Sequence, residues 1–147
     1  MSTRISLSQK APKAYQIMLT FEAYLDQTSL TPIQKELIKI RASQINKCAF
    51  CLNMHTEHAL KIGETQQRIF LLNAWRETRL FTDAEKVLLA MTEEITLIHH
   101  HGLTEETYRK ALAIYSEDEI AQMIFAIIII NSWNRIAISS KTDVAVS

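Results

Sequence analysis

Glycine, proline and cysteine are scarce in this chain, with two of each among its 147 residues. So few glycines and prolines argue against a many-stranded sheet and favour long helices joined by short turns. Apolar residues make up 48% of the chain, which is enough for a core of ordinary size. We therefore predict an all-α fold that forms one compact domain over residues 1–147.

Net charge is also absent, because 16 Lys and Arg residues balance 16 Asp and Glu residues. A chain balanced in this way offers no electrostatic surface for nucleic acid or for an anionic membrane, and neither is expected as a partner. Residues 1–7 lack the apolar run of a signal peptide, so a cytoplasmic location is the expectation. In a reducing compartment, a cysteine pair is catalytic or metal-binding more often than it is a structural crosslink.

Helical periodicity and capping signals divide the chain into six to seven predicted helices. The clearest helix starts are Thr31-Pro32 and the capping boxes at 82–85 and 116–119. Gly63 and Gly102 are the expected helix ends. The predicted helices cover residues 11–27, 32–45, 48–61, 65–74, 83–101, 105–115 and 117–138, after an irregular arm at 1–10.

The most apolar stretch, residues 124–130, lies in the last predicted helix. It is too short and too closely flanked by polar groups to span a bilayer, which needs about 20 residues. A helix that is apolar on every side is expected to be buried on every side. In a protein of this size we take the stretch as a subunit interface of a homo-oligomer, and the alternative is the central core helix of a monomer.

The two cysteines form a single Cys-x-x-Cys motif, Cys48 and Cys51, followed by His55. On a helix these side chains share one face, with about 4.5 Å of rise between the cysteines and about 6 Å from Cys51 to His55. Asn46 is the expected N-cap, which places both cysteines in the first turn, where the helix dipole favours thiolate over thiol. The arrangement predicts redox chemistry, in which His55 takes the proton of Cys51 and Cys48 closes a disulfide.

Glu36 lies twelve residues before Cys48, on the helix that starts at Pro32. A continuous helix would hold the two residues about 18 Å apart. Glu36 can cooperate with the cysteines only if the chain turns near Asn46-Lys47. The sequence reading therefore requires a turn at that point.

The spacing of Glu36, Cys48, Cys51 and His55 resembles the signature of the alkylhydroperoxidase D-like (AhpD-like) branch of the carboxymuconolactone decarboxylase superfamily. The resemblance covers a core motif region of about 31–95 and recurs at 131–135. It implies an all-α, AhpD-like fold, homo-oligomers that are often trimers or hexamers, and dithiol peroxidase or disulfide reductase activity. It also implies that neither a metal nor another cofactor takes part.

By this resemblance Cys51 is the peroxidatic cysteine, Cys48 is the resolving cysteine, and His55 and Glu36 form a proton relay. The substrate would be a peroxide, and a lipoyl- or thioredoxin-like dithiol protein would reduce the disulfide again. The decarboxylase branch lacks the cysteine pair, so lactone decarboxylation is disfavoured. The chain departs from the pattern at Phe50, where the well-studied peroxidases carry a second relay histidine.

Several residues have alternative interpretations. His58 faces nearly the same side as His55 and is a candidate for the missing relay group, against a role on a solvated helix face. His99-His100-His101 could bind a metal, but we favour a helix C-terminus that the imidazoles stabilise. Trp75 and Trp133 are expected to be core or interface aromatics, and Arg135 either pairs with a carboxylate or lines the pocket.

Two further interpretations concern the cysteines themselves. A zinc site is disfavoured, because Cys48 and His58 lie about 15 Å apart on a helix and no second cysteine pair exists. Inert, buried cysteines are disfavoured because Glu36 and His55 accompany them. For the function, a disulfide reductase or a non-catalytic redox-sensing protein of the same fold remains the alternative to a peroxidase.

Overall fold

The structure is a computed structural model that describes residues 4–144, and within that range it contains eight α-helices and no strand. The all-α prediction is confirmed. The additional helix is a single turn inside the arm predicted to be irregular, of which residues 1–3 lie outside the described residues. The helices are α1 Leu7–Lys10, α2 Pro12–Ala23, α3 Pro32–Asn46, α4 Ala49–Lys61, α5 Gln66–Leu71, α6 Asp83–Thr96, α7 Glu105–Leu112 and α8 Glu117–Ser140, with 3-10 helices at Tyr24–Gln27 and Leu72–Glu77.

Local capping signals start and stop several of these helices as predicted. Thr31, Thr82 and Ser116 each accept a hydrogen bond from the backbone N–H three residues on, and the side chain at that position reaches back to the cap. After α4, Gly63 adopts a φ of 101°, and the Glu64 N–H donates to the Ala59 carbonyl at 2.9 Å. That left-handed residue closes α4, because glycine has no Cβ to strain.

The helix predicted over 83–101 is shorter in the structure. It ends at Thr96, and Leu97 leaves the helical conformation. His99, His100 and His101 lie in the exposed turn that follows, so their predicted place in the last helical turn is wrong. The turn is closed instead by the His100 N–H, which donates to the Leu97 carbonyl at 2.9 Å.

Helix α3 is central, because it packs against α4, α6 and α8. Its apolar side chains Leu37, Ile38 and Ile40 are fully buried in the core. Burial of a side chain of this size contributes about 1.5–3 kcal/mol. Because α3 packs on all three helices, Glu36 on α3 lies next to α4, the helix that begins at the Cys-x-x-Cys motif.

Helix α8 is buried on one side within the chain, so the predicted burial of its other side depends on a second subunit. Ile127, Ile129 and Ile130 face the core, while Phe125 and Ile128 remain about two-fifths exposed. By length and composition alone this helix could cross a membrane, but 44% of its most apolar window is buried inside the protein. Core helices commonly pass the same test, so the indication is weak. The exposed apolar side chains fit a subunit interface, which stays a prediction.

A buried polar cluster fastens the end of α3 to α8. The Asn46 side-chain amide donates to the side-chain oxygens of Asn131 and Asn134, both at 2.9 Å. Asn134, which is fully buried, donates in turn to the Ser43 hydroxyl at 2.9 Å. This cluster fixes the C-terminal end of α3 on α8. It also explains why polar residues follow the apolar run of α8.

Loss of the Asn134 side chain is expected to destabilise the fold. Asn134→Ala leaves the Asn46 amide and the Ser43 hydroxyl each without one partner, and we expect the free energy of unfolding to fall by about 2 kcal/mol. Urea unfolding followed by circular dichroism measures the change. Ser132→Ala is the matched control, because among residues 4–144 its hydroxyl hydrogen-bonds only to the Ile128 carbonyl of its own helix. Equal stability of the two variants would contradict the assignment.

Candidate active site

The turn that the sequence required between Glu36 and the cysteines is present. α3 ends at Asn46, Lys47 adopts the left-handed conformation with φ 57° and ψ 41°, and α4 begins at Ala49. The chain therefore folds back on itself, and α4 packs against α3. As a result Glu36 on α3 lies beside His55 on α4.

Cys48 is the N-cap of α4, and the prediction that Asn46 has this role is wrong. The Cys48 sulfur accepts a hydrogen bond from the Cys51 N–H, with 3.4 Å between Sγ and N. Asn46 is not available as a cap because it is the last residue of α3 and its side chain bonds α8. The N-terminal N–H groups and dipole of α4 therefore act directly on the cysteine pair.

The two cysteines are joined in a Cys48–Cys51 disulfide, with 5.4 Å between their Cα atoms. Both side chains are almost fully buried. The pair spans the N-cap and the third residue of α4, so closing or opening the bond requires little movement of the backbone. The structure thus has the disulfide that the motif predicted.

Glu36 connects two histidines. One carboxylate oxygen, Oε2, lies 2.9 Å from His55 Nδ1, and the other, Oε1, lies 3.0 Å from His58 Nδ1. Glu36 and His55 are buried, whereas 55% of the His58 side chain is exposed. The three side chains therefore form a continuous polar path from the protein interior to the surface.

The pKa of Glu36 is held below its usual value. Burial alone would raise it, but the hydrogen bond and charge of His55, the hydrogen bond of His58 and the charge of Lys39 outweigh burial. The carboxyl group is therefore ionised at neutral pH. An ionised Glu36 can fix the orientation of both imidazoles and stabilise their protonated forms.

The balance between burial and hydrogen bonding at the buried carboxyl groups predicts that the protein loses stability in acid. Burial raises the pKa of Glu36, Glu85 and Glu93, but hydrogen bonds from His55, Arg68 and Trp75 respectively, with further hydrogen bonds and nearby positive charges, bring each below its usual value. A carboxyl whose pKa is depressed by folding stabilises the protein above its unfolded pKa of about 4.3, and the contribution is lost as pH falls through the folded pKa. We expect the free energy of unfolding, measured by urea titration, to be flat down to about pH 5 and to decline below it. A constant value down to about pH 3 would contradict this prediction.

A cavity of about 670 Å³, here called the large cavity, opens beside this path and contains Cys51 in its wall. Glu36, His55 and His58 line one side, and Phe50 lies where the resemblance placed a relay histidine. Apolar side chains make up much of the remaining wall, which also includes charged groups; the apolar ones are Tyr15, Leu19, Met54, Trp133, Ile136 and Ala137. The cavity can therefore hold a small organic molecule with one end close to Cys51.

The far wall of the large cavity is held by polar contacts that the sequence did not reveal. The Trp133 ring N–H donates to Glu22 Oε2 at 3.0 Å, and Glu22 Oε1 pairs with Lys39 Nζ at 2.6 Å. Tyr15 packs edge-on against Trp133, with 5.5 Å between ring centroids. Trp133 therefore lines the large cavity as well as packing against Tyr15. These contacts require α2 to lie beside α8, and that position depends on how the helices pack.

Cys48 lines a different and smaller space. This cavity of about 140 Å³, here called the small cavity, lies between the start of α4 and the end of α8. Ala49, Ile138, Lys141 and Asp143 line it together with Cys48. The two cysteines of the disulfide therefore line two different cavities.

The other residues considered from sequence lie away from this site. Trp75 is buried and donates to Glu93 Oε1 at 2.7 Å, as expected for a core aromatic. The Arg135 guanidinium donates to the backbone and side-chain oxygens of Asn131 and does not line the large cavity. Within residues 4–144, no three His, Cys, Asp or Glu side chains are grouped as metal ligands, and the three consecutive histidines are no exception.

An all-helical fold with a dithiol at a helix N-terminus, facing a buried Glu–His pair, defines a class of helical dithiol proteins. Comparison with known sequences shows that residues 10–94 match the carboxymuconolactone decarboxylase family. The chain belongs to this family. It is 44% identical over 139 residues to YdfG of Bacillus subtilis (strain 168), an uncharacterized protein, with 95% of each chain covered.

Solved structures agree with this assignment. The fold matches a protein of unknown function from Agrobacterium tumefaciens that has been proposed to be the antioxidant defence protein AhpD, with a TM-score of 0.96, 34% identity, and 99% and 100% of the two chains covered. This confirms the predicted AhpD-like fold. The debrominase Bmp8 shares the fold at a TM-score of 0.83 and 16% identity, with 93% of this chain and 74% of Bmp8 covered. An antioxidant role has therefore been suggested for a protein that is 34% identical to this chain.

Proposed function

We propose that the protein is a thiol-dependent peroxidase that reduces hydroperoxides through a Cys48–Cys51 dithiol and disulfide cycle. One observation carries the proposal: Cys51 shares the large cavity with His55, whose ring is bonded to a buried, ionised Glu36. Family membership and the likeness to the Agrobacterium protein support an antioxidant role. We also propose that a lipoyl- or thioredoxin-like dithiol protein is the reductant and that the protein acts as a homo-oligomer, either a trimer or a hexamer.

The reaction begins when the Cys51 thiolate attacks the distal oxygen of the hydroperoxide. The O–O bond breaks, the sulfur is oxidised to sulfenic acid, and the departing oxygen takes a proton and leaves as alcohol or water. Cys48 then attacks the sulfenic sulfur, forming the disulfide and releasing water. Two electrons from an external dithiol restore both thiols. The disulfide seen in the structure is the oxidised end point of this cycle.

The relay residues supply the proton that the departing oxygen needs. Glu36 fixes the His55 ring through Nδ1, so the Nε2 atom is left to take the proton of Cys51 and deliver it to the leaving oxygen. The carboxylate also stabilises the imidazolium formed between these two transfers.

We assign His58 the second relay position, because it bonds the other oxygen of Glu36 and opens to solvent. His58→Ala is expected to slow oxidation of the reduced protein by about tenfold, since proton exchange between Glu36 and solvent loses its carrier. Added imidazole should restore the rate, because the truncated site is half exposed. A rate that is unchanged in His58→Ala, or that imidazole leaves low, would contradict the relay role.

The function is tested by mixing pre-reduced protein with hydrogen peroxide or with cumene hydroperoxide in a stopped-flow instrument. We expect oxidation far faster than that of a free thiol in solution, and mass spectrometry should identify a Cys48–Cys51 disulfide as the product. Oxidation at the rate of a free thiol would exclude a peroxidase and direct attention to disulfide substrates. Disulfide reductase activity would then appear as turnover of a protein disulfide, and a redox sensor would show neither activity.

A further inference from the structure

The two cysteines of the redox pair line different cavities. Cys51 lines the large cavity and not the small one, and Cys48 lines the small cavity and not the large one. Phe50, Ala137 and Thr142 border both spaces and so form the partition between them. Because only two residues lie between the cysteines, this division results from the packing of α8 against the start of α4.

Thiol–disulfide exchange depends on which sulfur can be reached. The attacking thiolate, the attacked sulfur and the departing sulfur lie nearly in line, so the thiolate must approach one sulfur from the side away from the other. A thiolate in the small cavity therefore attacks Cys48 and expels Cys51. A thiolate in the large cavity would attack Cys51 and expel Cys48.

We propose that the small cavity is the entry site for the reducing thiol, that Cys48 is the sulfur it attacks, and that the large cavity is reserved for the oxidising substrate. The inference rests on the proposed function only for the identity of that substrate. The dimensions fit this division, because about 140 Å³ admits a thiol on a slender arm, whereas the large cavity has room for an organic group. Exposed Ile138 and Lys141 leave the small cavity accessible from the surface.

Reduction of the Cys48–Cys51 disulfide by the donor takes place in two steps. The donor thiolate bonds to Cys48 as the Cys48–Cys51 bond breaks, and Cys51 leaves as a thiolate into the large cavity beside His55. The second thiolate of the donor then attacks the donor sulfur of this mixed disulfide, which releases Cys48 as a thiolate and the donor as a disulfide. Two electrons pass to the protein, and the two protons of the donor dithiol are left for the two cysteines. The first sulfur set free is the one that the next hydroperoxide oxidises.

Trapping the mixed disulfide identifies the attacked sulfur. Full-length protein oxidised with diamide is mixed with 2-mercaptoethanol, quenched in acid at early times and alkylated with N-ethylmaleimide. Fragmentation of the tryptic peptide 48–61 then locates each label. We expect the mercaptoethanol adduct on Cys48 and the maleimide on Cys51. An adduct mainly on Cys51 at the earliest times would overturn the proposal.

Two variants at matched positions test the separate entry routes. Ile138 borders only the small cavity and Met54 only the large one, and each side chain is nearly half exposed. Ile138→Trp should slow reduction by dithiothreitol about tenfold, because access to Cys48 narrows, while oxidation by cumene hydroperoxide stays within about twofold. Met54→Trp should show the reverse pattern. If either variant is folded and slows reduction and oxidation equally, the result would contradict separate entry routes.

Failure of the peroxidase proposal can be distinguished from failure of the proposed entry site for the reducing thiol. Reduction is measured on protein oxidised without peroxide, so the position of the adduct and the effect of Ile138→Trp are decided even if hydroperoxides react slowly. Slow oxidation by hydroperoxide with an adduct on Cys48 would remove the peroxidase assignment and keep the reductant site. Fast oxidation with an adduct on Cys51 would keep the peroxidase and remove the site.

Discussion

Replacing Cys51 with serine is expected to reduce oxidation of the pre-reduced protein by hydroperoxide to the background rate of the remaining thiol. A serine hydroxyl is not ionised at neutral pH and does not accept oxygen from a peroxide, so neither sulfenic acid nor a disulfide forms. Cys48→Ser should keep the fast first step, because Cys51 still lies in the large cavity with His55. That variant should stop at the sulfenic acid.

Stopped-flow kinetics and intact-mass measurements separate the two variants. Dimedone labelling of Cys48→Ser should trap the sulfenic acid on Cys51, while Cys51→Ser should take up no label. Each variant keeps one cysteine in the same helical turn, so each is the structural control of the other. Fast oxidation of Cys51→Ser, with the label on Cys48, would reverse the assigned roles. That outcome is a genuine alternative, since Cys48 is the N-cap and its sulfur already accepts the Cys51 N–H.

Glu36→Gln is expected to lower the oxidation rate by about 100-fold while the protein remains folded. The amide has the size of the carboxyl and its oxygen can still accept a hydrogen bond from His55, but it carries no charge to stabilise the imidazolium. Because the pKa of Glu36 lies below its usual value, the wild-type relay is intact throughout the neutral range. The rate deficit of the variant should therefore persist at every neutral pH.

Glu57→Gln supplies the matched control for this prediction. Glu57 lines the same cavity from α4 but is exposed and bonds only Asn53, at 2.9 Å, in the part of the chain that the structure describes. Its substitution removes one negative charge near the site without touching the relay, and we expect a change in rate of less than about twofold. Equal effects of the two substitutions would show that general electrostatics, and not the Glu36–His55 pair, assist the reaction.

In the proposed mechanism each part of the site has a separate task, and these variants test that division. The start of α4 supplies the thiols and the N–H groups that favour thiolate, and α3 supplies the carboxylate that orients the base. α2 and α8 supply the apolar walls and the partition between the cavities. The chemistry is therefore concentrated on two helices, while access to it depends on two others.

Much of this arrangement follows from the sequence because its causes are local. Cys48, Cys51 and His55 share a helix face by the period of the helix alone, and the capping boxes mark the helix starts wherever the helices pack. The requirement for a turn near Asn46-Lys47 also follows, because a straight helix would keep Glu36 from the cysteines. The early end of α6 could not be predicted, because no strong local signal separates Thr96 from the histidines that follow.

The tertiary structure decided the rest, because those features depend on residues far apart in the chain. The amide of Asn46, expected to cap α4, is taken by Asn131 and Asn134 on α8, which leaves Cys48 as the cap. The contact of His58 with the second oxygen of Glu36 depends on the angle at which α3 and α4 pack. The separation of the two sulfurs between two cavities depends on where α8 ends. Periodicity and spacing determined which groups could react, and long-range packing determined which of them meet and from which side each is reached.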